Sequence, residues 1–203
     1  MKKALESRGI EYVWHFTRLS NLKSILYEGL IPRAELEVRA NHPAFNDVDR
    51  FDRQRNASCC SIGHPNYKMF YALRKAYPNE DWAVLAIKSD VLWEKDCAFC
   101  VENAASSNVT YIPIEARKGI DAFNKLFDEI NGKPSRKELG ISDASPTNPQ
   151  AEILIFGHVE PKYIVAVICP SKAIENKLKS TFNEVEFFYN KGFYSARKDY
   201  KHW

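Results

Sequence analysis

Three residues with reactive or ligand-binding side chains stand at unusual places in this chain. His15 and Thr17 close the apolar run "YVWHFT", and Glu152 heads the strongly apolar run "AEILIFG". On an extended chain, residues two apart share a face, so the imidazole and the hydroxyl can meet one ligand. A lone strand-end histidine is more often structural, and a glutamate beginning a strand commonly lies at its wet end. The other reading is a carboxylate on a rigid element, aimed into a cleft. The residues alone leave both readings open. Arg50, Arg53 and Arg55 lie in "NHPAFNDVDRFDRQRN", where they are either solvated or hold phosphates through paired N–H donors.

Other chemistries lack their residues. There is no GxGxxG and no GxxxxGK[ST], hence no usual dinucleotide or triphosphate loop, and there is no HExxH. No GxSxG elbow supports a serine nucleophile. "CAFC" (Cys97 to Cys100) has metal-ligand spacing, but a structural zinc needs four ligands and this motif offers two. Buried thiols are the preferred reading, and no metal is expected.

The elements that must position these groups read as follows. Residues 11–16 form a strand, with Val13 and His15 on one face and Trp14 and Phe16 on the other. Ser20 is placed to cap a helix that buries Leu22, Ile25 and Leu26, with Gly29 beyond its end and Pro32 stopping it. "SCCSIG" reads as a short strand, and a helix follows Pro65 with Met69, Leu73 and Phe70 inward. "WAVLAIKSDVLW" is the clearest strand, and "VTYIPI" another. Ile120, Phe123, Leu126, Phe127 and Ile130 mark one face of a helix. A polar Pro, Ser and Gly-rich loop precedes "AEILIFGHV". "YIVAVIC", the helix "AIENKLKSTF", the strand "VEFFYN" and a basic aromatic tail complete the chain. Few units have a strand–long helix–strand rhythm, so a mixed α+β fold is expected.

The 203 residues suit a single domain. A hydrophobic content of 45% supports a sizeable core, and a formal charge of +3 excludes an overall basic polyelectrolyte while allowing a local basic groove. Tyr67, Lys68, Phe70, Tyr71, Arg74 and Lys75 mix aromatics with cations, as do Tyr194, Arg197, Lys198 and Tyr200; either cluster suits a nucleic-acid strand, and part of each suits a core. Five cysteines, two of them adjacent, fit reduced thiols and a cytoplasmic protein. No apolar h-region follows the first lysines, and no apolar stretch approaches membrane-spanning length.

"WHFTRLSNLKSILYEGLIPR", "SCCSIGHPNYKMFYALRK", "KDCAFCVENAASS" and "PTNPQAEILIFGHV", in this order, resemble the DarT family of DNA ADP-ribosyltransferases, as does the closing "RKDYKHW". The resemblance spans nearly the whole chain. It implies an ADP-ribosyltransferase fold, a split, mostly antiparallel sheet with surrounding helices and long loops. It also implies transfer of ADP-ribose from NAD+, the co-substrate, to a base of single-stranded DNA. By this resemblance Glu152 matches the catalytic glutamate, and His15 and Thr17 match nicotinamide and ribose contacts. Asn21 matches a contact near the ribose. Arg50 opens an "R-x-D" unit and matches the catalytic arginine, with Arg53 competing for the assignment. Residues 33–57 match an NAD-binding element and 133–150 a substrate-recognition loop. Tyr67, Lys68, Arg74 and Arg197 are the expected nucleic-acid contacts. Thymine-modifying members carry a "PFYF-x-PRSPM"-like stretch where this chain has "CSIGHPNYKMF", which favours guanine over thymine. The implied setting is a toxin–antitoxin system, the partner being an antitoxin of macrodomain or other ADP-ribosyl glycohydrolase type. The competing expectations are an ADP-ribosyltransferase acting on RNA or protein, and an inactive nucleic-acid-binding module.

Overall fold

A computed structural model describes residues 1–39 and 51–203. Seven strands form one sheet: β1 (Tyr12–Arg18), β2 (Ala57–Ile62), β3 (Trp82–Lys88), β4 (Cys97–Cys100), β5 (Glu152–Phe156), β6 (Ile164–Cys169) and β7 (Glu186–Tyr189), in the order β4-β5-β2-β1-β3-β6-β7. Every pairing is antiparallel except β6 with β7. The helices are α1 (Lys2–Arg8), α2 (Leu22–Glu28), α3 (Arg33–Leu36), α4 (Tyr67–Ala76), α5 (Val91–Glu94), α6 (Ser107–Thr110), α7 (Gly119–Lys125) and α8 (Lys172–Lys179). None of the described helices is long and apolar enough to cross a membrane.

The sheet is split along its middle. β1 pairs with β3 over its whole length, from Tyr12↔Lys88 to Arg18↔Trp82. On its other side it pairs with β2 only at Val13↔Ile62 and Trp14↔Ser61. From Cys60 back to Ala57, β2 pairs with β5 instead. The two half-sheets therefore share a short seam and part beyond it, as the expected fold class requires.

Alternation explains the packing. Val13, Leu85, Ile87, Ile153, Ile155 and Val167 enter one large core with Leu22, Ile25 and Leu26 of α2 and Phe123 of α7. Trp14 and Phe16 point the other way, onto Phe70, Trp82 and Val84. "CAFC" is a strand, and its two thiols fall on opposite faces, Cys97 in the large core and Cys100 in a smaller cluster with Leu154. An odd spacing on a strand cannot present two ligands to one ion. Burial pushes the Cys97 thiol up to about 12 and the Cys100 thiol up to about 11, so both stay protonated near neutrality. Among the described residues no cluster of metal-ligating side chains exists.

Several local expectations need correction. Ser20 does not cap α2; a 3-10 turn over Leu19–Asn21 runs straight into the helix, with Asn21 at the cap position. "VTYIPI" is not a strand. Ser106 accepts the Asn108 N–H and starts α6, and Pro113 precedes another 3-10 turn, so capping and proline chemistry override β propensity. α7 ends at Lys125, so Ile130 lies beyond it, and Ile120 is exposed, although Phe123, Leu126 and Phe127 are buried as expected. In α4 it is Phe70, rather than Met69 or Leu73, that is fully buried.

Gly29 stitches the two halves together. Leu30 and Val159 exchange both main-chain hydrogen bonds at 2.9 Å, joining the end of α2 to the chain leaving β5. Gly29 has φ 85°, and a Cβ there would lie 2.1 Å from the Val159 carbonyl. Only glycine accepts both conditions.

Candidate functional site

A cavity of about 390 Å³ opens where β1 and β2 part, within the usual size of small-molecule sites. His15 and Thr17 of β1, Asn21 beyond it, Cys59 and Ser61 of β2 and Glu152 of β5 contribute to its wall. The fork in the sheet thus brings together four residues singled out from the sequence, His15, Thr17, Asn21 and Glu152.

Each of these side chains is held. His15 Nδ1 lies 2.8 Å from the Cys59 carbonyl, across the gap between the half-sheets. A carbonyl only accepts, so Nδ1 donates in this contact. Asn21 Nδ2 donates to Thr17 Oγ1 at 3.3 Å, and both residues are buried. The α2 helix backs this pair through Leu22, Ile25 and Leu26.

Glu152 is buried at the first position of β5. Its Oε1 accepts from Asn66 Nδ2 at 3.1 Å and Asn103 Nδ2 at 3.2 Å, and its Oε2 from the Ala104 N–H at 2.8 Å. It is therefore not the solvated end of a wet strand. Asn66 and Asn103 were not singled out from the sequence. The signal was present for Asn66, which follows "HP" and caps α4, whereas Asn103 sits in an irregular stretch with no periodicity to mark it.

Arg50 lies outside the described residues, as does part of the 33–57 element. Arg53 is exposed, has φ 58°, and does not border the cavity. Five described residues of that element do, among them the charged Arg33, Arg39 and Asp52. Arg33 Nε donates to Glu37 at 2.6 Å, Arg39 pairs with Glu28 at 2.7 Å, and Arg55 also pairs with Glu37. Asp52 accepts the Gln54 N–H at 3.1 Å.

The expected nucleic-acid contacts divide. Arg74 faces inward; it donates to the Tyr194 carbonyl at 2.7 Å and lies over the Phe70 ring. Arg197 also turns inward, donating to the Pro146 and Thr147 carbonyls at 2.6 and 2.7 Å and to Asp199. One guanidinium nitrogen of Arg74 and all three of Arg197 donate within the protein. Tyr67 is half-buried, its hydroxyl enclosed and without a hydrogen-bond partner. Lys68 borders a second hollow with Lys125, Lys133 and Trp203.

The family model described as "ssDNA thymidine ADP-ribosyltransferase, DarT" matches residues 14–194. No curated protein sequence matches. Three solved structures share the fold at low identity. Thermosipho africanus DarTG in complex with ADP-ribose is 18% identical with TM-score 0.63, over 91% of this chain and 51% of that one. This chain therefore spans about half the length of that protein. Thermus sp. 2.9 DarT in complex with carba-NAD+ is 14% identical with TM-score 0.61, over 91% of this chain and 98% of that one. The same protein in complex with ADP-ribosylated ssDNA is 11% identical with TM-score 0.58, over 92% and 97%.

Proposed function

The chain belongs to the DarT family of single-stranded-DNA ADP-ribosyltransferases, and on that premise we propose that it transfers ADP-ribose from NAD+ to a nucleobase in single-stranded DNA, through the cavity between β1 and β2. The observation that carries this reading is the position of Glu152. It is a buried carboxylate held by three N–H donors, on the same cavity as His15 and Thr17.

The residues suit the chemistry. Cleavage of a nicotinamide–ribose bond develops positive charge on the ribose. A fixed carboxylate stabilises that charge and serves as a base toward the incoming nucleophile. Thr17 and the backbone around His15 supply hydrogen-bonding groups for the leaving amide. Arg33 and Arg39 are described cations on the cavity wall within reach of an anionic diphosphate. Arg50 remains the proposed catalytic arginine by its place in the sequence. Exclusion of water from the site favours transfer over hydrolysis.

The base and the biological setting are further parts of the proposal. The family description names thymidine, while the divergent "CSIGHPNYKMF" stretch favours guanine. An antitoxin that removes ADP-ribose is the proposed partner, in keeping with the DarTG relative. Incubation with NAD+ and matched DNA, RNA and protein substrates, followed by mass spectrometry of nucleosides, tests the reading. An ADP-ribosylated deoxynucleoside is expected, and its mass identifies the base. Label confined to protein or RNA overturns the DNA assignment.

A further inference from the structure

We propose that Asn66 and Asn103 are positioning residues for Glu152, two neutral amides on separate segments that fix the plane of its carboxylate. The proposal rests on the reading of Glu152 as the group that steadies the reacting ribose.

Each amide does two things at once. Asn66 is fully buried, and its Oδ1 accepts the Met69 N–H at 3.3 Å as the cap of α4. Its Nδ2 end then faces Glu152, and its own N–H donates to Ser61 Oγ at 3.2 Å on β2. Asn103 repeats the pattern: its Oδ1 accepts the Ala105 N–H at 2.9 Å, and its Nδ2 faces Glu152. A backbone N–H only donates and a carboxylate only accepts, so the orientation of both amides follows from chemistry. A serine or aspartate can cap a helix or close such a turn, but an asparagine carries its acceptor and its donor on separate atoms, so it reaches the backbone N–H with one and the carboxylate with the other.

The absence of charge on these two donors also matters. A lysine or arginine bound to Glu152 would orient it but also neutralise it, weakening its hold on a developing cation. Two amides on Oε1 and the Ala104 N–H on Oε2 set tilt and rotation and bring no positive charge of their own.

Asn66→Ser and Asn103→Ser keep the caps, add no charge and withdraw the donor from the carboxylate. For each, kcat for DNA modification is expected to fall about 10-fold, with KM for NAD+ within about 2-fold and an unchanged thermal midpoint. In a Glu152→Gln background, neither serine substitution is expected to lower the residual rate further. Unchanged kcat in the folded variants overturns the proposal, as does an equal fall in the Glu152→Gln background. If Asn66→Ser fails to fold, Asn103→Ser in its half-buried turn decides alone. A Glu152→Gln enzyme as fast as wild type overturns the reading of the site itself, a result distinct from failure of the two amides.

Discussion

The two regions that meet at Glu152 are held by different means. On one side stand β1, β2 and β5, where continuous main-chain ladders fix each residue to a face. On the other runs the loop 133–150, with neither helix nor strand, held by local backbone turns and by side chains gripping backbone. Arg197 donates to the carbonyls of Pro146 and Thr147. Arg136 donates to Thr147 Oγ1 and the Ser142 carbonyl at 2.8 Å each, and Lys133 reaches the His202 carbonyl. Asp199 anchors the clamp by accepting from both Arg197 and the Trp203 indole N–H. A ladder spreads its load over many bonds, whereas a clamp concentrates it in a few. On the proposed function, the strand side holds the co-substrate and the loop side meets the target.

Substitutions can break this contrast. The largest effect is expected from Gly29→Ala on the strand side. A Cβ in contact with the Val159 carbonyl, at φ 85°, forces the Leu30–Val159 bridge apart. The loss is expected to be on the order of 3 kcal/mol or more, read by denaturant unfolding. Arg197→Ala comes next. It leaves Asp199 buried without its ion pair and frees two carbonyls of the loop. A loss of about 3 kcal/mol is expected, together with faster proteolysis within 133–150 and a raised KM for DNA but not for NAD+. Equal changes in both KM values would erase the distinction between the two sides.

Thr17→Val keeps shape and removes the hydroxyl that accepts from Asn21. It is expected to cost about 1 kcal/mol of stability and to raise KM for NAD+ while sparing KM for DNA, the converse of Arg197→Ala. The smallest effect is that of acid on the clamp. Burial alone would raise the Asp199 carboxyl, but the Arg197 guanidinium and the Trp203 N–H together outweigh it and hold it below its ordinary value. Stability from a lowered carboxyl is complete above its unfolded value, about 4, and fades as pH falls through the folded one. Protease sensitivity of the 133–150 loop is expected to rise below about pH 4 before the sheet melts. Simultaneous loss of both would show that clamp and ladder are one cooperative unit.

What could be read from the sequence follows the same divide. β1, β3 and β5 announce themselves as short apolar runs bounded by polar residues, and with β1 the shared face of His15 and Thr17. Glu152 stands out because a charge heading so apolar a strand needs a reason. Position along a strand does not reveal partners, however. That Asn66 and Asn103 reach Glu152 depends on where two loops return in space, and nothing in their local spacing encodes it. The inward contacts of Arg74 and Arg197 escape the sequence for a related reason. Cations beside aromatics look the same in a sequence whether they face solvent or, as here, carbonyls and rings inside the protein. "VTYIPI" misleads because a serine cap and a proline set the backbone more strongly than its β-branched residues.

The central claim is that a strand-borne carboxylate on the fork of the sheet carries the transfer. Glu152→Ala tests it most directly, by counting ADP-ribosylated nucleosides formed from NAD+ and single-stranded DNA while monitoring folding by circular dichroism. The account predicts a folded protein with transfer reduced by at least about 100-fold, the scale of losing a preorganised electrostatic group. A folded variant that still modifies DNA at the wild-type rate would contradict it.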